Sequence, residues 1–372
     1  MSKTKIKTTK KQQLNLMCPI GGDNLGSISM SILKGFRGID IDTSLFPILI
    51  DGKLLFNSTE EADICSGAIK YSRQFNYRAP ALKIWHPHDL ATRPGKGKYY
   101  SLVIPDTDYL TASEVHHLNY TDGIFVSSDW AKDILIKNQI KVPIHKISLG
   151  VDRSIFTVPE QVADRSNNNY IFYSTGKWSL SNGHDFLIKA FSLAFKKTDN
   201  VELRLLPTND FLTEEETNKW LSLVDNIPHK EKIFLYNRLQ TQYDMADFIL
   251  SADCLLSPQR VCSTGTSISE AMVMNKPVIA TQCGVVAEYP ESEHLYRANI
   301  RSQEKAYDNR ILYGESNWAK LDQSVLDETI DYMRHVYKNE IRSNPSGVEK
   351  MTNRTWHNTC LDILRITHKN KK

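Results

Sequence analysis

The stretch 251–288, SADCLLSPQRVCSTGTSISEAMVMNKPVIATQCGVVAE, constrains the fold more than any other part of the chain. An apolar run at 254–256 leads into a polar, glycine-containing loop at 257–265 and a helical pattern at 266–273. A turn at 275–277, a second apolar run at 278–280 and a glycine turn before Glu288 follow. That succession is a strand, loop, helix, strand unit, which demands parallel strands and a loop that opens a helix at a strand's carboxyl end. Free loop amides and the helix dipole then concentrate positive potential at one place. A phosphate is the natural guest there.

A chain of 372 residues exceeds the usual size of one core, so two domains are expected. With 41% hydrophobic and 24% charged residues the chain is globular in composition, and its longest apolar runs are only strand-length. The start, MSKTKIKTTKKQQ, lacks the apolar core of a signal peptide, and its lysines form a solvated tail. Six scattered cysteines (18, 65, 254, 262, 283 and 360) include no C-x2-C pair, which argues against a disulfide framework or structural zinc. Reduced, mostly buried thiols in a cytoplasmic protein are expected. A net charge of +3 is too weak to indicate a nucleic-acid binder, and nothing in the charge pattern demands nucleic acid as a partner.

Taken in order, the chain begins with a short strand at 14–20. It ends in Gly21-Gly22-Asp23-Asn24-Leu25-Gly26 and a helix at 27–36, for which Ser27 is the candidate cap. Such a turn serves packing in many α/β proteins, or lets a ligand approach the backbone. Strand signals follow at 45–50, 54–56, 81–85, 100–104, 123–127 and 144–149, implying a parallel sheet with ligands at the strands' carboxyl ends. His86-Pro87-His88-Asp89 stands at one of those ends, open to reading as a metal site, a sugar contact or a pair of ordinary loop histidines. The loop at 93–98 is a solvated basic loop or a lip over an anionic substrate. A polar linker at 160–169 precedes a second set: strands at 170–174, 201–206 and 232–236, and helices at 186–195, 214–224 and 243–251. Helical segments at 304–312, 326–335 and 354–367 close the chain.

The residues Ala252, Asp253, Pro258, Arg260, Gly265, Glu270, Ala271, Met272, Pro277, Val278, Ala280, Thr281, Gly284 and Glu288 occur at the spacing found in retaining GT-B glycosyltransferases of the family 4 type, which the chain resembles. Asp122 to Ala131 and Leu149-Gly150-Val151-Asp152 with Phe156 resemble the same family. The resemblance implies an α/β fold of two Rossmann-like domains facing each other across a cleft, with a C-terminal helix crossing back to the first. On that pattern, 1–160 is the acceptor-side domain, 168–350 the donor domain and 351–372 the returning helix.

The resemblance also implies roles. Glu270 holds the nucleotide ribose, His86 contacts the donor sugar, and Gly22 lies in the loop beside phosphates and acceptor. Lys177 is the first of two cations on the donor diphosphate, and the amides of Gly265 and Thr266 complete the phosphate site. His86, Lys177 and Glu270 form the catalytic set. Two positions depart from the family. The first glutamate of its E-x7-E pair falls on Cys262, a place in the sugar pocket, and its second cation falls on Asn182. Arg260 is the first candidate to replace that charge, followed by a basic residue of the opposite domain. No metal and no cofactor beyond a UDP- or GDP-linked sugar are expected. The alternatives are a nucleotide- or sugar-binding relative without catalysis that partners an active enzyme, and a two-domain nucleotide-sugar epimerase.

Overall fold

The computed structural model describes residues 11–50, 56–159, 169–207, 209–308 and 310–368. In the first half, β1 (Gln13–Ile20), α1 (Asn24–Gly38), β2 (Asp42–Ile50), α2 (Thr59–Tyr71), β3 (Ala81–Ile84), β4 (Tyr99–Leu102), α3 (Ala112–Asn119), β5 (Gly123–Val126), α4 (Asp129–Lys137) and β6 (Ile144–Lys146) alternate. Every residue of β3, β4 and β5 is buried, as strands covered by helices on both faces must be. All pairings are parallel and the order is β2-β1-β3-β4-β5-β6. The order therefore reverses between β1 and β3, and the crevice at that switch lies outside their carboxyl ends.

The second half repeats the plan with β7 (Tyr170–Thr175), α5 (His184–Ala194), β8 (Val201–Leu206), α6 (Glu214–Asp225), β9 (Ile233–Leu235), α7 (Gln242–Leu250), β10 (Cys254–Ser257), α8 (Thr266–Val273), β11 (Val278–Thr281) and β12 (Leu295–Ala298). Its parallel order, β12-β11-β10-β7-β8-β9, reverses between β7 and β10. A hairpin of β13 (Gln303–Tyr307) and β14 (Tyr313–Ala319) precedes α9 (Gln323–Lys338), α10 (Pro345–Lys350) and α11 (Trp356–Thr367).

The last helix returns to the first sheet's core. Cys360 and Ile363 pack with Ile28, Ile32 and Phe36, and the Thr359 hydroxyl donates to the Ser148 carbonyl at 2.7 Å. Gly35 permits the approach: a β-carbon there would lie 2.5 Å from the Cys360 sulfur. Among the described residues no helix is long and apolar enough to cross a membrane.

The structure differs from the sequence expectations in two places. Asp23, not Ser27, caps α1, its carboxylate accepting from the Gly26 amide at 2.7 Å. The segment expected as a helix at 304–312 is half of the β13–β14 hairpin, because the Asp308 carboxylate accepts from the amides of Arg310, Ile311 and Leu312 and so closes a turn where a helix would continue. The strand expected at 54–56 falls, apart from Phe56, outside the described residues, as do most of the linker at 160–169 and the basic tail.

Candidate active site

Helix capping isolates the site. Asp, Ser, Thr or Asn side chains cap the first turns of α1 to α4, α6, α7 and α9 to α11, whereas α5 and α8 begin at Gly183 and Gly265 with no side-chain cap. These two helices follow β7 and β10, the strands that flank the second sheet's reversal. At α5 the Asp185 carboxylate occupies the first turn. The first turn of α8 contains no acidic residue, so its amides keep their capacity for an anion. Gly265 adopts a φ of +63°, and a β-carbon there would stand 2.5 Å from the Tyr289 hydroxyl, which donates to the Gly265 carbonyl at 2.6 Å. That bond fixes the angle at which α8 opens.

Glu270 projects from the second turn of α8 beside buried Ala271 and Met272. It is half-buried, no side chain among the described residues pairs with it, and burial pushes its carboxyl up to about 8. A pair of hydroxyl donors would favour the ionised form that this site disfavours. Lys177 follows β7 past Gly176, is exposed, and holds its ammonium 5.1 Å from the centre of the Phe211 ring. Asn182 lies against Gly176 and donates to the Lys177 carbonyl at 2.8 Å, so it shapes this turn without adding charge.

From the other sheet, Gly22 follows β1 and His86 follows β3, the strands of the first reversal. His86 stacks on His88, with ring centres 5.6 Å apart. Burial holds its imidazole below the usual range, His88 and Lys177 act in the same direction, and Asp106 and Asp23 oppose them. Groups of both domains thus meet at His86. Asp106, two residues after the 100–104 run, belongs to this cluster though no motif marks it. It is exposed, yet the protein packed around it raises its carboxyl against the pull of His86 and Lys177. Only the sheet order, which puts β4 beside β3, brings Asp106 to His86. Asp89 turns away to buried Lys83, 3.6 Å distant, and no cluster able to hold a metal ion occurs among the described residues.

Two of the expected donor contacts have partners within the protein. The Arg260 guanidinium forms two parallel bonds to Asp185, at 2.9 and 2.8 Å, and a third to the Leu180 carbonyl at 2.5 Å. It also lies 5.6 Å from the Trp318 ring centre, so its charge is matched within its own domain. Cys262 is 3% exposed, belongs to the apolar cluster under α8, and accepts the Val285 amide on its carbonyl at 2.8 Å. Its side chain packs beneath the loop. Cys262→Glu is therefore expected to cost on the order of 3 kcal/mol of stability by burying a carboxyl without a partner, and to leave the donor preference unchanged. Melting curves and a donor panel check this; a stable variant with a shifted preference would return residue 262 to the pocket.

Across the cleft, the Ser127 hydroxyl donates to the Ser263 carbonyl and the Ser263 hydroxyl to the Pro105 carbonyl, both at 2.6 Å. Asn24 meets Thr264 at 3.4 Å, and Glu288 accepts from the Trp130 amide at 2.9 Å and from Lys146 at 2.8 Å. The loop that opens α8 is thereby held against the ends of β4 and β5. In the sequence these serines are indistinguishable from any polar loop residues.

Residues 169–311 match the family model described as Glycosyl transferases group 1. An uncharacterized glycosyltransferase of Methanocaldococcus jannaschii is 23% identical over 172 residues, which is 44% of this chain and 40% of that protein. The chain thus matches about two-fifths of that relative's length. Sucrose-phosphate synthase from Thermosynechococcus elongatus has the same fold with a TM-score of 0.70 at 12% identity, over 96% of this chain and 99% of that one. Anabaena HepE, in complex with UDP and glucose, superposes with a TM-score of 0.68 at 10% identity over 97% and 100% of the two chains. A glycosyltransferase from Rickettsia africae gives 0.67 at 16% identity, over 97% of this chain and 100% of that one. The two parallel six-stranded sheets are those of the GT-B fold.

Proposed function

We propose that this protein is a retaining glycosyltransferase of the family 4 type, moving a sugar from a UDP- or GDP-linked donor to an acceptor held by the first domain. The observation that carries the proposal is the uncapped start of α8, at the reversal of one sheet, held against strand ends of the other sheet, with Lys177 just after the adjacent strand β7 and Glu270 on α8 itself. The amides of Gly265 and Thr266 and the Lys177 ammonium would take the diphosphate, and Glu270 the ribose diol. His86 would face the sugar as a neutral imidazole. The glycosidic bond from C1 to the phosphate oxygen breaks as the acceptor oxygen bonds C1 on the same face, and the acceptor's proton passes to the departing phosphate. Lysine and amides stabilise that leaving group, so no metal is required. The six free thiols suit a reducing, cytoplasmic compartment.

A non-catalytic nucleotide binder is the second reading, favoured by uncharged Asn182 and by the engagement of Arg260 with Asp185. A thermal-shift panel of UDP, GDP and their sugars, followed by nucleotide-release assays, separates the two. Binding at a hundred times Kd adds about 2.7 kcal/mol to stability in both cases, but only the enzyme releases nucleoside diphosphate.

A further inference from the structure

With Asn182 uncharged and Arg260 locked to Asp185, Lys177 faces a diphosphate as a single charge unless another cation reaches the same place. Arg238, on the loop after β9, is such a cation. Its Nη2 lies 3.1 Å from where a β-carbon on Gly22 would stand, so the guanidinium rests against the glycine turn of the opposite domain. That turn is tied to the start of α8, since Asn24 meets Thr264, the residue before Gly265, at 3.4 Å. Asp23, next to Gly22, also shares the field around His86 with Lys177. Arg238 and the loop that opens α8 therefore border one turn, and Lys177 lies over Phe211, next to the Asp210 that holds Arg238.

The present partners of the two arginines differ in how readily they can be exchanged. Arg238 donates through Nη1 to Asp210 at 2.6 Å, among the contacts of a guanidinium whose side chain is 25% exposed; the Asp210 side chain is 53% exposed, so water can take over that carboxylate when the guanidinium turns. A pair whose carboxylate is open to water contributes less than one buried on both sides. Arg260 sits in a forked pair whose side chains are 11% and 27% exposed, and releasing it would strand charge in a dry environment. Asp210 is also the neighbour of Phe211, over which the Lys177 ammonium lies, so one short segment positions both cations.

We propose that Arg238 supplies the second positive charge on the donor's diphosphate, giving up Asp210 for a phosphate oxygen when the nucleotide binds. The assignment rests on the donor function proposed above, and it answers the charge deficit at residue 182 from within the second domain. Glycine at 22 fits it, because a β-carbon there would press on the guanidinium at 3.1 Å.

Calorimetry with UDP, UMP, GDP and GMP on wild-type protein, Arg238→Ala and Arg238→Gln tests it, with nucleotide-free melting temperatures alongside. The expected result is a loss of at least tenfold in affinity for the diphosphate that wild type binds, with less than twofold change for the matching monophosphate and an unchanged melting temperature. Arg238→Gln, which keeps the length of the side chain, should show the same selective loss. Equal affinity of variants and wild type for the diphosphate would overturn the assignment, and so would an equal loss for both nucleotides. Wild-type protein that binds none of the four would overturn the donor function itself, and the role of Arg238 with it.

Discussion

Lys177→Ala is expected to lower the release of nucleoside diphosphate from a sugar donor by a factor of about 10² to 10³, or roughly 3–4 kcal/mol of barrier. The size follows from where the charge develops. As the glycosidic bond breaks, negative charge grows on the departing phosphate, and Lys177 follows the strand at the centre of the second sheet's reversal, where that group would rest. Folding should be little affected, because Lys177 is exposed and the Phe211 ring is its side chain's cation–π contact. Steady-state rates with melting curves decide. A loss below about threefold, or roughly 0.65 kcal/mol, in a folded variant would mean that another group carries the leaving-group charge.

What the sequence makes legible is local. The period change from apolar run to helix places Gly265, Thr266 and Glu270 at the start of α8, and strand endings place Gly22, His86 and Lys177 at the mouths of the two sheets. What it hides depends on partners distant along the chain. Arg260 is the first candidate for the charge missing at residue 182, yet Asp185, 75 residues away, holds it. Cys262 takes the place of a glutamate, and only the packing of 284–286 against its loop shows that the side chain goes inward. Asp106 and Arg238 carry no motif; sheet order and an inter-domain approach bring them in. The hairpin at 303–319 escapes a helical reading of its apolar spacing because one aspartate closes the turn.

Glu270→Gln should weaken nucleotide binding on the order of 30-fold, because a carboxylate accepting two hydroxyls makes charge-assisted bonds that an amide cannot. The same change should stabilise the free protein at high pH. Folded Glu270 titrates near 8 against an ordinary value of 4.5. Between those values the native state keeps a proton that the unfolded chain has lost, so stability falls as pH rises through that window. Glutamine has no proton to lose. At pH 4, below the window, variant and wild type should melt together, and at pH 9 the variant should be more stable by roughly 2–4 kcal/mol. Nucleotide binding to wild type at pH 7 should release a proton, seen as a calorimetric enthalpy that depends on the buffer. Unchanged affinity in the folded variant would remove Glu270 from the ribose site. Parallel melting curves from pH 4 to 9 would mean that its carboxyl is not raised by burial.

Sugar transfer with retained configuration is tested most directly by proton NMR of nucleotide-sugar donors incubated with the wild-type protein. Donor hydrolysis at the empty acceptor site should release nucleoside diphosphate together with a sugar that first appears in the donor's own anomeric form, at a rate that Lys177→Ala nearly abolishes. Release of the opposite anomer would contradict retention, recovery of the intact donor as its epimer would make the protein an epimerase, and binding without any release would make it a nucleotide-sugar binder.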